Sequence, residues 1–137
     1  MNSPQTEESI TAIWAGRLLG ALVVFSLLAD AGVNVFLPHH LAENLTKIGF
    51  PMGLAPISGS VLFVCALLYM IPRTSVLGAV LITAFLGGAI CAHLRIGEIG
   101  SPPQVISALL GIAAWASLYL RNNDVRGLLP LLTRTRI

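Results

Sequence analysis

Four continuous apolar runs, separated by short gaps rich in proline and polar residues, dominate the chain. They cover residues 10–36, 52–71, 75–94 and 104–120, against the roughly 20 residues that a membrane-spanning helix requires. Barrel strands would alternate polar and apolar positions over about ten residues, and these runs do neither. Pro38, Pro51, Pro72 and the pair Pro102–Pro103 fall in the gaps, where residues that cannot continue a helix belong. Pro56 lies in the first turns of the second run, where a missing N–H does least harm. The pattern predicts an all-α protein, an antiparallel four-helix transmembrane bundle. It is flanked by a tail at 1–9 and a basic tail at 121–137. The longest connection, 37–51, carries "HHLAENLTKIGF", a segment suited to a short helix at the membrane interface.

Composition strengthens this reading. Of 137 residues, 55% are hydrophobic and only 10% charged, and the mean hydropathy is +0.84. Soluble domains carry roughly a quarter charged residues, so the chain lacks the polar surface that water would demand. The N-terminal stretch is acidic and has no basic region of the kind a secretory signal needs. Positive charge then orients the bundle. With four spans, Arg17, Arg73, Arg121, Arg126, Arg134 and Arg136 share the side of both termini, while Lys47 and Arg95 lie opposite. The positive-inside rule puts both termini in the cytoplasm, where the basic C-terminal tail would face anionic lipid. Few charges and no interleaved aromatics argue against nucleic acid as a partner.

Small residues repeat every fourth position as Ala12, Gly16 and Gly20 in the first span, and as Ala84, Gly88 and Ala92 in the third. Such stripes let helix backbones approach where no hydrophobic effect drives association. Gly87 and Gly88 are read in the same way. The two cysteines form no CxxC motif. Cys65 and Cys91 fall at depths differing by roughly 15 Å at 1.5 Å per residue, beyond disulfide reach.

Polar groups at membrane depth are the candidate chemistry. Asp30 is followed by Asn34 four residues later, on one helix face. The third span ends in "AHLRIGE", placing His93, Arg95 and Glu98 at the same membrane side as Asp30 and the "PHH" turn of His39 and His40. An imidazole near a carboxylate can exchange protons near neutral pH, so a pairing of Asp30 with His93 or Arg95 would suit a quinone or another lipophilic ligand. Ser58, with Ser60, is a candidate lining residue of the same outer pocket. A plainer reading stands beside this one. Arg95 suits the negative end of a helix, Gly97 is an ordinary stop, and Glu98 is simply solvated. The histidines and acids show no recognised metal spacing, and no nucleotide-binding loop is present.

Four segments carry a resemblance to a known family: "FSLLADAGVNVFLP", "IGFPMGLAPISGSVL", "LLYMIPRTSVLGAVLITAFLGGAICAHLRIGE" and "WASLYLRNNDVRGLLP". With these the chain resembles the DoxX-like membrane proteins, small bacterial four-helix proteins. Gly87, Gly88, His93 and Arg95 match the family pattern, as do Asp30 and Gly32. Many members carry a Lys where this chain has Asn34. The resemblance implies a multi-pass protein of the bacterial inner membrane and a quinone link, through relatives such as the thiosulfate:quinone oxidoreductase membrane subunit. The expected function is redox-linked binding of a quinone or similar lipophile. The alternative is a non-enzymatic accessory subunit on a larger membrane complex, or a homo-oligomer. A small oligomeric transporter is weaker, since four spans show no internal repeat.

Overall fold

A computed structural model describes residues 4–128, with side chains over 10–127. The helices are α1 (Pro4–Phe36), α2 (Ala42–Lys47), α3 (Leu54–Met70), α4 (Ser75–Arg95), α5 (Pro102–Arg121) and α6 (Asn123–Leu128), with a 3₁₀ turn at Pro38–Leu41. The chain forms a helical membrane bundle. Among the described residues, three helices are long and apolar enough to cross a membrane. The fourth, α3, has 17 residues, about 26 Å at 1.5 Å per residue.

Proline and glycine set the boundaries. Leu37, which precedes Pro38, leaves the helical region at φ −130° and ψ 47°, as steric conflict with the proline ring requires. Ile71 does the same before Pro72, at ψ 120°. The connection 37–51 is more structured than a single short helix, since the 3₁₀ turn leads directly into α2. At the other end of the bundle, the Asn122 side chain accepts from the Asp124 N–H at 2.9 Å. This N-cap starts α6 within the segment read as a tail. Arg134 and Arg136 lie outside the described residues.

The spans form a ring in which α1 packs on α3 and α5, and α4 packs on α3 and α5. The pair α1 and α4 therefore faces across the diagonal. Buried positions recur with helical spacing: Val23, Leu27 and Ala31 on α1, and Leu62, Ala66 and Tyr69 on α3. Two buried polar bonds join the helices, one across the diagonal and one between neighbours. Tyr69 donates its hydroxyl to the Ala114 carbonyl at 2.9 Å, and Ser117 donates to the Gly16 carbonyl at 2.8 Å. In lipid such bonds and close packing replace the hydrophobic effect as glue.

Glycine use differs along the chain. A Cβ on Gly16 or Gly20 would collide with α5 at Leu120 or Ser117, and one on Gly78 with the Tyr69 backbone. Gly59 lies as close to α1, where a Cβ would sit 2.8 Å from the Ala31 carbonyl oxygen. Gly87 and Gly88 instead face open space, with nothing within 4 Å of an added Cβ. Close packing was the expectation for all four glycines read as stripe residues. Within this chain the last two leave a gap: Gly87 borders open space between α4 and α5, and Gly88 is exposed.

Candidate functional site

The polar cluster at the end remote from the termini is built by two helix stops of the same kind. At the end of α4, Gly97 adopts φ +79°, a left-handed conformation that costs glycine little. Its N–H bonds the Leu94 carbonyl at 3.0 Å, and the Glu98 N–H returns to the His93 carbonyl at 3.2 Å. These are the two bonds of a Schellman motif. The turn folds Glu98 back over the last turn of α4, where its Oε2 lies 2.5 Å from His93 Nδ1. Gly49, at φ +74°, closes α2 in the same manner, with Gly49 N–H on Thr46 O at 3.0 Å and Phe50 N–H on Leu45 O at 2.8 Å.

The two helix ends then clasp one another. Lys47, the last residue of α2, forms an ion pair with Glu98 Oε1. Arg95, the last residue of α4, donates to the Ile48 carbonyl, one of the acceptors a helix end leaves free. Both cations also sit where helix dipoles favour them. Beneath the clasp the buried Gln104 donates to the Glu98 carbonyl at 2.9 Å. Its Oε1 accepts from the Ser101 N–H at 3.1 Å. Lys47 and then His93, as hydrogen-bonding partners, hold the Glu98 carboxyl below the usual carboxylate range, while Glu98 raises Lys47. An ionised Glu98 can only accept, so His93 Nδ1 carries the shared proton.

The structure thus joins His93 and Glu98 and ties Arg95 to the 37–51 connection, but it does not bring Asp30 to them. Asp30 lies exposed on α1 and accepts from Asn34 Nδ2, 3.2 Å to Oδ1 and 2.9 Å to its carbonyl. No ion pair joins it to His93 or Arg95 among the described residues. A shared membrane side fixed their depth, but the ring order sets α1 and α4 on opposite corners. Ser58 is half-buried on α3, and Ser60 is bonded to the Pro56 carbonyl at 2.8 Å. His39 and His40 stack on each other at 4.4 Å between ring centres. Cys65 and Cys91 are both free thiols.

A sizeable cavity lies elsewhere. A groove of about 650 Å³ opens along the seam of α4 and α5. Gly87, Ile90, Ala108, Gly111 and Ile112 make it nearly all carbon, and Thr83, Ser107, Trp115 and Tyr119 supply its few polar groups. Trp115 donates its indole N–H to the Thr83 hydroxyl at 2.9 Å, which in turn donates to the Ala79 carbonyl at 2.8 Å. Sequence reasoning missed this groove. Its signal was the small residues Gly87, Ala108 and Gly111 on consecutive helices, which read equally well as close contact.

The model of the DoxX-like family matches residues 18–117, from near the middle of α1 to the last turns of α5. The chain belongs to the DoxX-like family. No curated protein and no solved structure gives a significant match. The matched region of this DoxX-like protein contains the clasp, Asp30 and the groove apart from Tyr119 and Leu120 at its end, while α6 follows it.

Proposed function

We propose that this DoxX-like protein binds a lipophilic molecule of the quinone class in the groove between α4 and α5. The observation that carries the reading is the groove itself. Its volume, about 650 Å³, falls within the range of small-molecule sites. It follows α5 from Ser107 to Leu120, roughly 20 Å at 1.5 Å per residue, which suits a flat head with an apolar tail. Trp115 offers a ring face for stacking, and the Thr83 hydroxyl can turn toward a ligand carbonyl. Redox linkage enters through the ligand's own chemistry, as the family resemblance implies. Proton handling by Asp30 with His93 is not part of this reading, because each has a different partner. The arginine-rich end, with both termini, is assigned to the cytoplasm, and the membrane to the bacterial inner membrane.

The test uses Trp14→Phe protein, in which Trp115 is the sole tryptophan. Titration with a short-chain benzoquinone in detergent is expected to quench its emission saturably. Gly111→Leu fills the groove without a backbone clash, since its Cβ would meet only Leu86 Cδ1 at 3.9 Å. That variant should lose the saturable component. Identical quenching with and without Gly111→Leu would remove the groove from consideration.

A second reading, an accessory subunit without activity of its own, draws on the outward face of α4. A Cβ on Gly88 there would meet nothing within 4 Å beyond its own helix turn, and Ala84 beside it is exposed. Cysteine pairs placed at 84 or 88 would crosslink to a partner in membranes on this reading and stay unlinked on the first.

A further inference from the structure

At the end where α1 begins and α5 finishes, two arginines line the same pair of cavities. Arg17 on α1 and Arg121 at the last position of α5 both border a cavity of about 220 Å³, with Pro72, Ser75 and Asn122. Both also border a second, of about 390 Å³, that runs along α1 past Ala21, Val24, Phe25 and Leu28. Among the described residues, no carboxylate lines either one. The Nε and one terminal nitrogen of Arg121 are buried without any hydrogen-bond acceptor. A guanidinium normally meets its donors with carboxylate, phosphate or carbonyl oxygens, and leaving them dry and unpaired is costly.

The local architecture explains why Arg121 is left open. A cation at the last turn of a helix ordinarily bonds that helix's terminal carbonyls. Here Arg126 on α6 has taken them, donating to Tyr119 O at 2.6 Å and to Leu120 O at 2.5 Å. Arg121 instead lies over the Tyr69 ring at 5.1 Å, and the Tyr69 hydroxyl is itself pinned to Ala114. Arg17 lies over Trp14 at 5.3 Å. The two cations thus face a shared space, and Arg121 lacks an anion.

We propose that Arg17 and Arg121 bind the phosphate of an anionic glycerophospholipid, whose acyl chain lies in the groove along α1. Two features favour a lipid over free phosphate. Arg121 ends α5 and Arg17 lies about two turns inside the first apolar run, near the depth of headgroups, and the apolar groove leads from them along α1. From Arg17 to Leu28 it extends roughly 16 Å at 1.5 Å per residue, about the half-thickness of a hydrocarbon core near 30 Å. Arginine's planar fork suits bidentate phosphate recognition, and stacking on Tyr69 holds Arg121 ready for it.

The experiment is native mass spectrometry and thermal melting of the full chain in detergent, titrated with phosphatidylglycerol, phosphatidylcholine or inorganic phosphate. Phosphatidylglycerol should bind at least about tenfold more tightly than phosphatidylcholine and raise the melting temperature, by ligand linkage. Arg121→Gln and Arg17→Gln should each lose most of that binding. Arg73→Gln removes the same charge from an exposed residue outside both cavities and should bind as the parent does. Ala21→Trp, which fills the groove and leaves the charges in place, should weaken lipid binding too. Equal losses in Arg73→Gln would reduce the effect to general surface charge. Competition by millimolar inorganic phosphate, with Ala21→Trp unaffected, would make this a free-anion site and overturn the lipid assignment. Unchanged binding in Arg121→Gln would overturn the proposal outright. Should Arg121→Gln fold poorly, Arg121→Lys keeps the charge without the fork and should retain only part of the selectivity.

Discussion

His93 Nδ1 lies 2.5 Å from Glu98 Oε2, and the contact is made by a helix stop rather than by two helices meeting. Gly97 turns the chain so that Glu98 returns over the end of α4, and Lys47 takes the other carboxylate oxygen. The acid is thereby fully engaged, and the cluster acts as a clasp between the 37–51 connection and α4.

The clasp carries a pH signature. Glu98 is held below its ordinary value by Lys47 and His93, so the native state favours its ionised form. Its contribution is fully present above the ordinary carboxylate pKa of about 4.3 and is lost as pH falls through the lowered native value. Lys47 is raised by Glu98, so its contribution is complete below the ordinary lysine value of about 10.4 and is lost only above that. The expected melting difference between parent and Glu98→Gln is therefore present at neutral pH and shrinks to nothing in acid. It should also diminish in high salt, since Lys47 is exposed and Glu98 only half-buried. A difference that grew as pH fell below 4 would contradict the assignment.

Glycine substitutions should separate contact from gap. Gly78→Ala drives a methyl into the Tyr69 backbone, and Gly59→Ala into the Ala31 carbonyl. Overpacking of this kind costs about 1–3 kcal/mol. Gly88→Ala meets nothing within 4 Å and replaces a poor helix former with the best one. It should leave stability unchanged or slightly raised. Thermal unfolding of the three variants in one detergent checks the ordering.

The two buried cross-helix bonds offer a calibrated comparison. Tyr69→Phe and Ser117→Ala each remove one hydroxyl donor without creating a steric clash. Interhelical bonds in membrane proteins average about 0.6 kcal/mol and reach roughly 1.7. Both variants should fall in that range when measured by reversible unfolding in mixed micelles. A loss beyond about 3 kcal/mol would mean that these hydroxyls do more than join helices.

The spans and their stops were legible because proline chemistry and bilayer thickness act locally. Pro38 and Pro72 end helices wherever the rest of the chain lies, and the continuous apolar runs need no partner to be recognised. The neighbours of each helix were not legible in the same way. Depth follows from counting residues along a span, but azimuth depends on which helices share a seam. Asp30 and His93 illustrate this, since they lie on one side of the bundle yet on diagonal helices. Gly97 and Glu98 show the converse. The glycine was readable as a stop, but a solvated Glu98 overlooked where a Schellman turn sends the next side chain. Gly87 and Gly111 expose a further ambiguity, because a glycine in an apolar helix permits either contact or a cavity.

A double-mutant cycle tests that geometry directly. Reading depth alone, Asp30→Asn and His93→Ala should disturb one shared property and combine non-additively. The structure gives Asp30 to Asn34 on α1 and His93 to Glu98 at the end of α4, with α1 and α4 across the ring. Sites without shared partners add within about 0.3–0.5 kcal/mol, so Asp30→Asn with His93→Ala should be additive in thermal stability. His93→Ala with Glu98→Gln should not be, because the second substitution removes an acceptor that the first has already left without its donor. Lys47 remains on Glu98 in the single His93 variant, so part of the clasp survives there, whereas Glu98→Gln releases both partners. The expected order of effects is therefore Glu98→Gln above His93→Ala, with the double variant close to Glu98→Gln alone. Strong coupling between Asp30 and His93, with none between His93 and Glu98, would reverse the assignment and return Asp30 to the site.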